Sequence, residues 1–586
     1  MFNALVWLPL ASAMAIAPPP QVASTIAAVP AIEGEALPQI PNEIMRQQEV
    51  RPLPGELNNI PVFNSNSPEL VQQEGILLST FPRDQMASDQ AHLDFAFDGS
   101  FDFFAHHVAR GIATNDRRTL FLGGLIYNPN AESVTLEIGQ GASYLSQQAP
   151  FHSLPALRLN PDGSVFAGPG SRIMTDILQR RRQSQWPRQV VIPAKQAYLL
   201  VNAPIPLRRL PFETDATLPP GSILPGAPSQ FRSPPVASVS PGGSNLQLPS
   251  NGRSLLLQLS SSGPVHAATL AMYAPRNQDG YERAPTLQEW LRLLVNGDLS
   301  GPRDIPPTNP EEYAKGDGSS RFYYGRVAGV AQGSRWEAIA VDEPDASRLT
   351  IPAVGKALSY VISTVDYNTF GTDQIQSAPM LVRYPDTAYR AHGNYGVHYK
   401  VSLPLYNNTD REQRIILRLQ TPLQDETLKQ GLRFLRNPAN RVFFRGTVRV
   451  QYATSQGQQR LRDIHVVQHQ GEEGEPILRL SLPPGAQQDV VVELVYPPDA
   501  TPPQVLTITT LGTASGRNVE SSTTEELPVA EVAEEADLPA TVAPETPTVS
   551  ATDLLTVPLP TSDRETEAEA ADSEGQLTTM EQFVQD

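Results

Sequence analysis

The chain has 586 residues, 57 prolines, 39 glycines, no cysteine and a formal net charge of -18. Without cysteine there are no disulfides, cysteine nucleophiles, thiolate metal sites or iron-sulfur clusters, and the length exceeds what one hydrophobic core can organise. The charge is concentrated at one end: residues 514–586 hold 17 acidic and 2 basic residues, which leaves a nearly neutral body with no strongly basic domain suited to nucleic acid.

Residues 1–17 form an apolar run long enough for a signal-peptide core and too short to span a bilayer. Ala11-Ser12-Ala13 offers a cleavage site, although no Lys or Arg precedes Arg46. The expectation is export to the periplasm, outer envelope or medium, with no transmembrane span. Residues 18–50 read as a Pro/Ala-rich linker.

Residues 51–210 read as an N-terminal β-sandwich module. Phe95 and Phe97, the pair Gly99-Ser100, then Phe101 and Phe103 predict one hairpin. Leu122, Gly124 and Ile126, the turn Asn128-Pro129-Asn130, then Val134, Leu136 and Ile138 predict another. A short helix is expected over residues 171–182, its three terminal arginines complementing the helix dipole. Nine prolines between 211 and 249 mark residues 211–250 as a linker or long surface loop.

A β-rich middle section, 251–380, opens with an expected hairpin in which Leu255, Leu257 and Leu259 meet a Ser-Ser-Ser-Gly-Pro turn before residues 265–273. It also contains a helix at 286–296, started by the capping box of Thr286 and Glu289. The C-terminal module, 381–513, is a second sandwich. Val397, Tyr399, Val401, Leu403 and Leu405 alternate with polar residues, residues 407–410 turn, and Ile415, Leu417 and Leu419 return. Two echoes link the modules: Leu125-Ile126-Tyr127-Asn128 resembles Leu405-Tyr406-Asn407, and Ile192-Pro193-Ala194 resembles Leu482-Pro483-Pro484. Residues 514–586 are too poor in apolar surface to offset their ordering entropy and are expected to be disordered. The predicted fold is mainly β: two immunoglobulin-like or related β-sandwich modules around a β-rich middle with one helix, and an acidic tail.

The block 54–82, the Phe103 to His107 segment, and above all Arg383-Tyr384-Pro385-Asp386-Thr387-Ala388-Tyr389 with His392-Gly393-Asn394-Tyr395-Gly396-Val397 resemble a cyanobacterial family of exported proteins known as domain of unknown function 3370. The resemblance covers most of 51–511. It implies an envelope or extracellular address and brings no activity or catalytic residue with it.

Three groups of residues carry candidate chemistry. Asp386, His392 and His398 combine the imidazoles and carboxylate of an open zinc-type site, but at a spacing that matches no metal motif, and they belong to the alternative of a secreted, metal-assisted hydrolase of envelope polymers. Arg441, Arg445 and Arg449 share a predicted strand face with Phe443, a row of forked donors beside a ring that suits an anionic polysaccharide, although a row of this kind more often serves to protect an edge strand from pairing. Asp94, Asp98 and Asp102 surround Gly99 without the order of a calcium loop, and His106-His107 point to opposite faces of one strand. No nucleophile elbow, phosphate loop or dinucleotide fingerprint occurs, so no cofactor is expected. The leading expectation is a non-enzymatic envelope protein, structural or polymer-binding, with no catalytic residue or metal. A third reading, an assembly or chaperone-like partner, would use an exposed strand edge.

Overall fold

The computed structural model describes residues 42–210, 217–226, 248–316, 322–426, 431–454, 456–512 and 556–558. The expected signal peptide, most of the N-terminal linker, most of the Pro-rich loop and nearly all of the acidic tail lie outside these residues. The described chain is mainly β, with three α-helices among the described residues: Pro169–Leu178, Leu287–Asn296 and Pro310–Lys315. None is long and apolar enough to cross a membrane.

The strands build two β-sandwiches. The first is one continuous network in which a 24-residue strand, Ser250–Tyr273, serves both layers. Its first half pairs with Phe97–Arg110 and Val134–Leu145, and its second half with Thr119–Tyr127 and Gly75–Ser79. The register breaks between Ser261 and Val265, where Ser-Ser-Gly-Pro bends the strand from one sheet into the other. The expected hairpin at 255–273 is therefore a single bent strand. The same correction applies at 94–107: Gly99, at φ +73°, bends Phe97–Arg110 opposite that corner and does not reverse the chain. Both corners carry the small turn-forming residues that sequence periodicity reads as reversals. Phe63 stacks on Phe103 at 4.5 Å and Phe97 on Phe101 at 4.5 Å in the enclosed core.

The second sandwich packs two sheets over a core that includes Trp336, Tyr399, Phe444, Tyr496 and Leu506. One sheet orders Arg335–Ile339, His398–Tyr406, Gln487–Val495, Val442–Ala453 and Gln459–His469, and the other orders Glu49–Arg51, Ala357–Ile362, Gln504–Thr510, Gln413–Gln420 and Pro476–Leu482. Segments are exchanged between the sandwiches. Leu157–Leu159 pairs with Gln459–His469 in the second, Ala328–Gln332 and Ala378–Arg383 join the first, and Arg335–Ile339 joins the second only three residues after Gln332. Residues 251–380 thus feed both sandwiches.

The sequence echo is a structural repeat. In neither copy does the expected hairpin form: Thr119–Tyr127 and Val134–Leu145 do not pair with each other, and His398–Tyr406 and Gln413–Gln420 lie in the two opposite sheets of the second sandwich. Asn128 and Asn407, both fully buried, end equivalent strands. Each donates its amide to three carbonyls: Glu132, Ile192 and Pro193 for Asn128 at 2.8–3.1 Å, and Arg411, Leu482 and Pro483 for Asn407 at 2.8–3.1 Å. Each carbonyl oxygen accepts the backbone N–H two residues on, closing an Asx turn. The helix expected from the capping box spans Leu287–Asn296, with both reciprocal bonds present, and Trp290 is fully buried against Gly123.

Helix Pro169–Leu178 joins the two halves. Its Thr175 hydroxyl meets Thr447 at 2.7 Å, Arg449 donates to the Leu178 carbonyl at its C-terminal end, and the Asp499 carboxylate lies against Gly168 and Gly170 at its N-terminal end. The second sandwich thereby supplies a cation and an anion to the matching poles of this helix. Near the chain crossing at Gly333-Ser334, a pocket of about 10 Å³ lined by Asn64, Asp102, Ser334 and Asn394 has room for about one water. Burial pushes the Asp102 carboxyl up to about 7.

Candidate aromatic binding platform

The arginine row does not form an open face. A bulge between Val442 and Phe444 breaks the alternation, so Phe443 and Phe444 are both buried and Phe443 is not a surface ring. Arg449 makes a two-pronged ion pair with buried Asp463, at 2.7 and 2.9 Å, in addition to its bond to Leu178. Arg445 stacks on Phe151 at 4.6 Å and Arg441 on Phe443 at 5.1 Å. The face on which periodicity places three free guanidiniums is, at Arg449, the seat of the joining helix.

Asp386, His392 and His398 turn to three different partners. Arg303 clamps Asp386 at 2.8 and 3.0 Å, His392 Nε2 meets Asp366 at 2.8 Å, and His398 Nε2 meets Glu493 at 3.3 Å. Among the described residues no group of three His, Asp or Glu side chains is placed to hold a metal. Asp94 and Asp98 are exposed while Asp102 is buried, so they do not share a loop site. His107 is an internal residue held by Ser65 and the Pro68 carbonyl, and His106 bonds Ser254 across the strand pair.

Of these residues His392 borders a cluster of aromatic rings, and its neighbours come from elsewhere in the chain. The loop from Ser363 to Ser377 connects a strand of the second sandwich to one of the first. Four of its non-glycine residues have left-handed backbone: Ser363 at φ +62°, Tyr367 at +59°, Phe370 at +54° and Asp373 at +59°. Such conformations are costly for residues bearing a Cβ and persist where the surroundings fix them. Here Gln376 accepts from Ser363 N and donates to the Val361 carbonyl, Gln374 brackets the backbone of Leu53, and Glu426 accepts from Thr369 N, Thr369 Oγ1 and Gly371 N. Phe370 plugs a small core with Val361, Leu432, Phe434 and Val505.

Anchored in this way, the loop holds Tyr367 outward, 48 % exposed. Its ring packs at 4.8 Å against both Tyr313, from helix Pro310–Lys315, and Phe322, and Phe322 continues to Tyr324 at 4.9 Å. Tyr324 meets the His392 ring at 4.6 Å and donates its hydroxyl to the Asp366 carbonyl. Burial pushes the Tyr324 phenol well above its ordinary range, leaving it a donor. Burial alone would raise Asp366, but the hydrogen bond and charge of His392, with Arg390 at 3.6 Å, hold it below the ordinary carboxylate value. The result is a cluster of four rings, with Tyr313, Phe322 and Tyr367 in mutual contact and Tyr324 leading from Phe322 to a charged rim. His392 is not placed as a general base: Nε2 is bonded and Nδ1 is enclosed. The sequence signal for this site is the aromatic run Phe322-Tyr323-Tyr324 and the turn-rich Asp366-Tyr367-Asn368-Thr369-Phe370-Gly371. Neither segment has the periodicity that marks a strand or helix.

The profile of a family described as "Protein of unknown function (DUF3370)" matches residues 48–510. The chain belongs to this family. The match spans both sandwiches, the joining helix and the aromatic platform, so this DUF3370 unit is the interleaved pair and not either sandwich alone. No curated protein matches the chain significantly. Among solved structures, the coconut allergen cocosin is 9 % identical at a TM-score of 0.08, over 76 % of this chain and 86 % of its own. Lac15 from a marine microbial metagenome is 8 % identical at 0.09, over 72 % and 88 %. Procruciferin, an 11S globulin of Brassica napus, is 10 % identical at 0.08, over 75 % and 85 %. Likeness at this level carries no argument about this DUF3370 member.

Proposed function

We propose that this is a non-enzymatic exported protein of the cell envelope or extracellular space that binds an anionic polysaccharide, and that it does so through the aromatic platform and not through the arginine row. The observation that carries the reading is Tyr367, a half-exposed ring on a left-handed backbone, packed edge-on against Tyr313 and tilted against Phe322. A rigid exposed ring offers apolar area to the C–H face of a sugar at little entropic cost. Arg390, 39 % exposed beside Asp366, supplies a guanidinium at the rim for an acidic substituent.

The test is Tyr367→Asn, which removes the ring but keeps a residue that tolerates left-handed backbone. We expect unchanged circular dichroism and about tenfold weaker retention on immobilised acidic polysaccharide, the equivalent of about 1.4 kcal/mol. Unchanged retention would remove the platform from the account. One observation favours the assembly reading as a second possibility: Thr556–Pro558 adds as a short antiparallel strand to the edge Gln196–Tyr198, the kind of edge on which strand-exchange partners act.

A further inference from the structure

We infer a second binding site, for a carboxylated sugar residue such as a uronic acid, in an open cleft of about 440 Å³ lined by Glu74, Arg118, Tyr273, Ala274, Arg276 and Glu282. Its volume falls within the roughly 300–1,000 Å³ usual for small-molecule sites. The inference does not depend on the aromatic platform.

Two of the four charged lining groups are already committed. Buried Asp116 grips Arg118 at 3.0 and 2.8 Å, and the Arg118 guanidinium lies 3.8 Å over the Tyr273 ring. Glu282, 2 % exposed, accepts from Arg208 Nη1 at 3.0 Å and Thr119 N at 3.1 Å. The Tyr273 hydroxyl donates to the Gln72 carbonyl at 3.2 Å. These contacts fix the floor in place before any ligand arrives.

The other two groups are exposed and opposite in sign. Glu74 uses Oε1 to accept from Tyr273 N at 2.7 Å, and its Oε2 has no partner among the described residues. The Arg276 backbone bridges to Glu282, and its guanidinium forms no hydrogen bond or ion pair among the described residues. An uncommitted guanidinium favours a planar carboxylate, which it can bind with two parallel N–H donors. A carboxylate acceptor in the same lining favours hydroxyl donors and repels a second negative charge. The lining therefore selects a hydroxylated monocarboxylate over neutral sugars, which leave Arg276 unanswered, and over sulfate or phosphate, which Glu74 opposes.

The experiment is ligand-observed NMR with the full chain and four probes: glucuronic acid, glucose, inorganic sulfate and glycine. Glucuronic acid should bind at least tenfold more tightly than glucose or sulfate, Arg276→Ser should lower its affinity at least tenfold, and Glu74→Gln should admit sulfate. Equal binding of glucose and glucuronic acid, preference for the zwitterion glycine, or an unaffected Arg276→Ser protein would overturn the assignment. Tyr367→Asn separates the two sites, because it should weaken polymer retention and leave uronate binding at the cleft intact; loss of uronate binding in that variant would place the ligand on the platform and overturn the cleft.

Discussion

Replacing Arg449 with Ser decides between the polymer-binding face expected from sequence and the interface found in the fold. The side chain is 14 % exposed and its partner carboxylate, Asp463, is 2 % exposed. Deleting one member of a buried pair costs about 3–5 kcal/mol, because the remaining charge is left without compensation. Asp463 would keep one donor, Gln179 Nε2 at 2.8 Å, which argues for the lower end, about 3 kcal/mol. The Leu178 carbonyl also loses its donor at the end of the joining helix. Urea unfolding followed by near-ultraviolet circular dichroism should show that loss. The double variant Arg449→Met with Asp463→Leu should recover most of it, since apolar replacement of both partners is close to neutral. An Arg449→Ser protein within about 0.5 kcal/mol of the parent, the spread of an ordinary surface substitution, that nevertheless leaves an acidic-polysaccharide column would refute the structural role and restore the arginine row.

Acid should destabilise the protein. Burial lowers His92, His106 and His465 to about 4 and His107 to about 3, so these four bind fewer protons folded than unfolded as pH falls below about 6.5, and each takes stability away. Burial raises Asp102 to about 7 and Asp499 to about 6, which works in the opposite direction: the stability they contribute is fully present below their ordinary value of about 3.8 and is lost as pH rises from there through the raised values. Near pH 5 the unfolded chain holds about two more protons across these six groups, a slope on the order of 2–3 kcal/mol of stability gained per pH unit of increase; denaturation midpoints measured from pH 4.5 to 6.5 that fall or stay flat would contradict it. Asn128→Ala and Asn407→Ala should each cost about 2–3 kcal/mol through carbonyls left without a donor, and thermal melts in which only one of the two matters would show that the repeat is not equivalent.

What was legible in the sequence was whatever has a period. Alternation places Val397 to Leu405 and Ile415 to Leu419 on strands, the Thr286–Glu289 pair starts a helix, and the recurrence of Asn after an apolar strand with Pro at its partner loop reveals the duplication. Reversal and bending were not separable, because the same small residues serve both: Gly99 and Ser262-Gly263-Pro264 redirect strands without ending them. The Arg441–Arg449 face failed for a different reason. A one-residue bulge shifted Phe443 inward, and a helix whose Leu178 lies 271 residues earlier in the chain covered Arg449. Alternation specifies which residues share a face but not what lies against that face.

The placement of the aromatic platform follows from the exchange of segments. A chain that must pass from one sandwich to the other needs crossings that leave the regular ladders, and Ser363–Ser377 is such a crossing, between Ala357–Ile362 of the second sandwich and Ala378–Arg383 of the first. Both ends of the loop are fixed by sheets, so its left-handed residues are determined from two sides and the cost of their backbone is offset by the hydrogen bonds that Gln374 donates and that Gln376 and Glu426 accept. A loop tethered to only one sandwich could relax Tyr367 to an ordinary conformation. The interleaved topology that hides the domain boundaries from the sequence is thus the same feature that holds an aromatic ring rigid and exposed.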